Sequence, residues 1–331
     1  MKDDIGDKFS GHAKKTAKET SPKEELEKAI DRLPGLRNSL NLHKIDLDEL
    51  DEVHIFGYGS LPGKPHYPPT EMKTAYLAGY KRDFCCQSVR SGTEEFNGLT
   101  LGLVKDPDTA VKGSVMTYRG LKTAELADMM NEFARREVPS TQIYTFRIKK
   151  LVDEQGKESL AIACVADTKA PGFVGDSLGK KVRSLLSDEE RQEASVWRKA
   201  SIIAQAAGYL PSSERHTTNK SYMDRFVRYN LEHEPTMVDE DASEEQQDLQ
   251  RKVLNGEDKM WELIEAVDNI RNMMPDQNKA WLEKIEKSQW DDFTQAQEAR
   301  KKLEAEKAAK KKPQTPPAKS AYHRPGPFKT G

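Results

Sequence analysis

Only one part of this chain can build a sizeable core: the stretch from about residue 52 to 235, where apolar residues, glycines and aromatics become frequent. Short strand signals alternate there with helical ones. "EVHIF" is a strand candidate, and "GLTLGLV" and "GSVMTY" are rich in β-formers and bounded by glycine, which predicts two further strands. "AELADMMNEFARRE" sets Leu126, Met129, Met130 and Phe133 on one stripe of a helix. "QIYTFRIKKL" alternates Tyr144, Phe146 and Ile148 on one face, the period of a half-buried strand. "SLAIACVAD" is a nearly continuous apolar run, the pattern of a buried strand. Strands, then a helix, then strands point to a mixed α+β domain rather than a doubly wound sheet.

The flanks read differently. Residues 1–20 form a charged lead predicted to be disordered. Ser21-Pro22-Lys23-Glu24 has the form of a capping box with proline at the first helical position. Leu26, Ala29, Ile30 and Leu33 follow at helical spacing, and Pro34-Gly35 ends a small surface helix packed on a neighbour. Past residue 236 an acidic run, Asp239 to Asp248, should be solvated. Trp261, Ile264, Val267 and Ile270 mark one amphipathic helix, and Trp281, Ile285 and Phe293 mark another. Each stripe must cover an apolar face on the domain or on a partner. A Lys/Glu/Ala helix follows from Arg300, then a basic, proline-rich tail predicted to be mobile. The expected organisation is an N-terminal extension (1–50), a core domain (51–235), an acidic linker with amphipathic helices (236–309) and a tail (310–331).

Composition excludes several classes. Lys plus Arg number 53 against 55 Asp plus Glu, so no global field attracts nucleic acid, and the basic tail has no groove-reading motif beside it. No apolar run approaches the ~20 residues of a membrane span. The N-terminus lacks the apolar segment of a cleavable secretory signal. Cys85, Cys86 and Cys164 are an odd number, and sequence neighbours rarely pair, which favours a reducing cytosol; export by another route stays open. Cys85 and Cys86 read as buried strand thiols, with redox sensing as the alternative. The seven histidines have no metal-ligand spacing, so neither a metal nor a cofactor is expected.

The segment "HIFGYGSLPGK" (54–64) needs its own account. A dinucleotide loop requires G-x-G-x-x-G, but Pro62 stands at the sixth position. A phosphate loop would need Gly-Lys-Ser/Thr, which is absent. A nucleophile elbow would need glycine where Tyr58 stands, two residues before Ser60. What remains is a tight turn with left-handed glycines, or a loop built to approach a ligand closely.

Together with the segments downstream, this loop resembles the ChaC-type γ-glutamylcyclotransferases. The similarity is ordered along residues 52–230: "FGYGSL" (56–61), "LAGYKRDFC" with Gly79, Tyr80, Phe84 and Cys85, then "NGLTLGLV", "KGSVMTY", "ARREV", "VADTKAPGFVG" and "NKSYM". There are departures. Phe173 stands where the family usually has tyrosine, a short turn is stretched to "GYLPSSERHTTN" (208–219), and a family histidine has no clear counterpart near Arg90.

The resemblance implies an α+β fold, a mixed β-barrel with surrounding helices and with helical N- and C-terminal extensions. It also implies conversion of glutathione to 5-oxoproline and cysteinylglycine without a cofactor. Glu137 falls at the family's catalytic glutamate. Phe56, Gly57, Tyr58, Gly59, Ser60, Leu61, Tyr144, Asn219 and Tyr222 fall at substrate-contacting positions. Other γ-glutamyl amides as substrates, or an interaction module of weak turnover, are the alternatives. A protein partner would dock on the C-terminal helices or the 208–219 loop.

The chemistry suits these residue types. A γ-glutamyl group carries its own nucleophile, so the protein must fold the chain, move a proton and stabilise an oxyanion. Partial burial would raise the pKa of Glu137 toward neutrality, where a proton shuttle works best; a surface glutamate paired with Arg135 or Arg136 is the plain reading. Backbone N–H groups of the glycine loop could form a nest for the α-carboxylate. Ser60 is a hydroxyl donor or a turn serine, Asn219 a substrate contact or a helix cap, and Tyr222 a substrate contact or core.

Overall fold

The structure, a computed structural model, describes residues 20–273 except 64, 66, 89–90, 93–96, 139–142, 176–185, 206–218 and 233–235, together with residue 302. The chain divides into two compact units, Met1–Glu286 and Lys287–Gly331, and every element named here lies in the first. The expectations for residues 1–19, the loop before Asn219, the stripe of Trp281, Ile285 and Phe293, and the tail fall outside the described residues.

Helix α1 (Pro22–Asp31) starts at the expected capping box. The Glu24 N–H donates to Ser21 Oγ at 3.3 Å and the Ser21 N–H to Glu24 Oε2 at 3.1 Å. Gly35, at φ 80°, reverses the chain into α2 (Leu36–His43), a helix that the sequence pattern does not announce. Strand β1 (Glu52–Gly57) leads into a single helical turn, α3 (Ser60–Gly63). Two long strands follow, β2 (Glu71–Ser88) and β3 (Gly98–Arg119), then α4 (Thr123–Glu137), β4 (Tyr144–Asp153) and β5 (Glu158–Ala166). Three further helices are α5 (Asp188–Gln205), α6 (Asn219–Phe226), which widens into a π-helical turn, and α7 (Glu244–Asn272). No helix among the described residues is long and apolar enough to cross a membrane.

The strands close into a barrel in the order β1-β3-β2-β4-β5. Most pairs are antiparallel; β5 and β1 close it in parallel, with Ile55 opposite Ile162 and Phe56 opposite Ala163. The two strands expected from "GLTLGLV" and "GSVMTY" are one. Both halves of β3 keep β2 as partner, and opposite the polar turn Asp106–Thr109 the register slips at Gly79, φ 76°. Pro107 is tolerated because a bulge needs no ladder donor there.

The buried stripe of α4 is the expected one, Leu126, Met129, Met130 and Phe133, and Phe133 meets Phe146 edge-on at 5.4 Å. That core is continuous from Leu26 through the barrel to Val267, so α1, α2 and α7 share it. On α7 the buried stripe is Met260, Leu263, Ile264 and Val267, whereas Trp261 is 39% exposed. The expected stripe is thus corrected by one position: residues 260, 263, 264 and 267 lie on one helical face, and 261 lies about 100° away. Between β2 and α5 a buried Lys199 Nζ meets both Asp83 carboxylate oxygens, at 2.9 and 2.7 Å.

Candidate active site

The glycine loop leaves the barrel at the end of β1. Phe56 is buried between the neighbouring strands, and Leu61, packed against the core, lines a small cavity with Ile55, Tyr67, Met116, Tyr118, Met129 and Phe133. These two residues anchor the loop by their side chains. Gly57 is glycine because a Cβ there would stand 2.7 Å from the ring carbons of Pro62, where α3 folds back. Left-handed φ values among the described glycines occur at 35, 79, 120 and 156, not at 57 or 59. The left-handed turn is therefore corrected: the close approach of Pro62, not positive φ, demands Gly57.

Tyr58 points inward. Burial first, and then Cys164, Cys86, Glu137 and Tyr222, push its phenol well above the usual range. Burial and Glu137 likewise raise the Cys164 thiol, while a hydrogen bond with Tyr58 opposes them. Tyr222 is pushed up to about 12 by burial and then by Glu137, against a backbone hydrogen bond from Leu101. The Tyr144 hydroxyl donates to the Leu101 carbonyl at 2.7 Å and lies 3.1 Å from Thr100 Oγ1. Two tyrosines from different elements thus grip one residue of β3.

Asn219 supports the same strand. Its carboxamide accepts from the Leu99 N–H and donates to the Leu99 carbonyl, both at 2.6 Å. Its contribution is to pin the start of β3. Phe173, at the position where tyrosine would stand, bridges to Cys86 in β2.

Glu137 is the last residue of α4. Its Oε1 lies 2.7 Å from Arg136 Nε, and the two side chains are only 21% and 13% exposed. Arg135 pairs with Glu132 on the outside instead. Arg136 Nη2 also donates to Ser60 Oγ at 3.2 Å, which ties the loop to α4. The structure therefore brings together Tyr58, Ser60, Glu137, Tyr144 and Tyr222, while Phe56, Leu61 and Asn219 hold the frame. Arg136, Cys86 and Cys164 complete the cluster, and none of them is a site residue on the sequence reading. For Arg136 a signal existed: Phe133, Arg136 and Glu137 continue the inward stripe at i, i+3 and i+4. Among the described residues no group of three His, Cys, Asp or Glu could hold a metal ion.

A closed five-stranded barrel with helices packed around it defines the class, an α+β barrel fold that carries a glutamate at a helix end beside tyrosines. Residues 53–190 match the family model described as ChaC-like protein, and this stretch of the chain resembles that family. Among curated proteins it is similar to glutathione-specific gamma-glutamylcyclotransferase 1 of Rattus norvegicus, 28% identical over 125 residues, covering 37% of this chain and 54% of the relative. The Danio rerio protein of the same name is 32% identical over 78 residues, covering 23% and 40%. The match with the rat protein thus spans about half of that relative's length. Among solved structures, a glutathione-specific gamma-glutamyl cyclotransferase from yeast is similar with a TM-score of 0.45 at 18% identity, covering 66% of this chain and 97% of that one.

Proposed function

We propose that the chain is a γ-glutamylcyclotransferase that cleaves glutathione to 5-oxoproline and cysteinylglycine. The observation that carries this reading is the placement of Glu137, half-hidden at the end of α4 and electrically coupled to Tyr58, Cys164 and Tyr222 within the ChaC-like stretch. Glu137 takes a proton from the substrate's α-ammonium. The freed amine attacks the γ-carbonyl carbon and a C–N bond closes the five-membered ring; the ring nitrogen gives up its surplus proton, and the old amide bond breaks as the leaving nitrogen takes up that proton and the one held by Glu137, departing as an ammonium. Intramolecular attack supplies an effective molarity of ~10⁵ M or more, so no covalent enzyme nucleophile is required.

The tyrosines suit the oxyanion. With its pKa at about 12, Tyr222 keeps its proton at neutral pH, and while it accepts from Leu101 its own O–H remains a donor. The catalytic unit extends over residues 51–235, and a protein partner would meet the C-terminal helices or the 208–219 loop. Three free, buried cysteines suit a reducing cytosol.

The test is incubation of the purified chain with glutathione and with its N-acetylated form, followed by assay for 5-oxoproline. Release from glutathione alone is expected, because acetylation removes the nucleophile. Absence of 5-oxoproline from glutathione would overturn the proposal. Cysteinylglycine from the capped compound would mean hydrolysis instead.

A further inference from the structure

We infer that Arg136 is a positioning residue that holds the Ser60 hydroxyl and the Glu137 carboxylate in one frame, so that the glycine loop and α4 act on a substrate as a unit. The role in turnover rests on the proposed function of Glu137. Helical spacing sets Arg136 and Glu137 on either side of the Phe133 stripe. There Arg136 Nε meets Glu137 Oε1 at 2.7 Å. Both side chains are largely covered, and Arg136 also reaches the exposed Ser60 across 76 residues of sequence.

Arginine suits this place chemically. Its planar fork presents Nε and Nη2 in fixed relation, so one group fixes two acceptors from separate segments. A lysine ammonium is a point charge on a flexible stem and holds neither angle. By accepting from Arg136, Ser60 keeps its own O–H as a donor toward a ligand. The guanidinium also lies near enough to Tyr118 of β3 and Tyr222 of α6 to lower both phenols, against the larger effect of their burial. It thus stands where four separate segments meet, with the titratable groups Glu137, Tyr58, Cys164 and Tyr222 beside the loop.

The experiment compares the full chain with R136Q, R136K, S60A and the R136Q/S60A double variant on glutathione. R136Q should lower kcat ~10- to 100-fold with KM almost unchanged, since misplacement of about 1 Å costs that much. R136K should recover part of the loss. The double variant should be little worse than R136Q, because the two residues act together. Wild-type kcat in R136Q, or a loss confined to KM, would overturn the inference. A second readout needs no turnover: the 15N-labelled Nε–H resonance of Arg136, identified by its absence from R136Q, should move in both E137A and S60A. If it moves while the wild type releases no 5-oxoproline, the frame stands and the proposed function falls. If it moves in neither variant, the frame itself is refuted.

Discussion

Glu137 and Lys199 both place charge inside the protein, and they answer to different tests. Replacing Glu137 by Gln preserves shape and removes basicity, so 5-oxoproline release should fall ~100-fold or more while the fold persists. Steady-state rates beside a circular-dichroism melt check this, and retention of more than about a tenth of the activity would refute the assignment. The Lys199 ammonium sits on Asp83, and both side chains are under 10% exposed. Lys199→Met should cost ~3–5 kcal/mol in urea unfolding, because it strands the buried Asp83 carboxylate. A cost below about 1 kcal/mol would mean that water reaches the pair. The site residues were legible to different degrees. Glu137 was marked by its family position, and the Phe133 stripe pointed Arg136 inward. Cys86 and Cys164 carry no local signal, because their nearness to Tyr58 arises only when β2 and β5 close the barrel.

Among the elements, those with a plain period were legible: the capping box of α1, the stripe of α4, and strands β4 and β5. The long strands were legible only in part: both halves of β3 are expected strands, but their continuity and β2 were not foreseen. In β2 the burial order breaks its alternation where the register slips between Ala78 and Tyr80 and between Phe84 and Cys86. A bulge adds a residue and turns the following side chains to the other face, so period-two reading fails across it. In β3 the polar stretch from Asp106 to Thr109 lies between the two expected strands, and α7 covers it, with Asn255 donating to the Asp108 carbonyl and Lys259 to Asp106. That places α7 in the fold's energetics and permits a sharp comparison. Leu263→Ala should cost ~2–5 kcal/mol through the cavity it leaves. Trp261→Ala, though the larger truncation, should cost far less because Trp261 lies on the outer face. Equal costs in chemical denaturation would contradict the observed stripe.

At the scale of the whole molecule, the segment before β1 bears on the candidate site although it lies outside the family match. Leu26, Ile30, Leu33, Leu36 and Leu40 are buried in the same core as α4 and the barrel. Each such side chain contributes ~1.5–3 kcal/mol by leaving water. Polar contacts set the segment's position: Arg32 Nη1 donates to Asn131 Oδ1 at 2.7 Å, the Phe146 N–H to the Pro34 carbonyl at 2.8 Å, and the Ile148 N–H to Ser39 Oγ at 2.8 Å. Helix α4 carries Glu137 at its end, so whatever seats α4 also aims the carboxylate. Residues 1–19 have few apolar side chains by contrast, so they bring little apolar surface to the core. Deleting 1–19 should therefore leave the thermal midpoint and turnover almost unchanged. Deleting 1–50 should lower the midpoint by many degrees and reduce kcat even well below that midpoint, because α4 and β4 lose their cover. Differential scanning calorimetry with glutathione turnover at low temperature separates the two effects. If the chain lacking 1–50 melted and turned over like the full one, α1 and α2 would be ornaments on a barrel that positions Glu137 unaided.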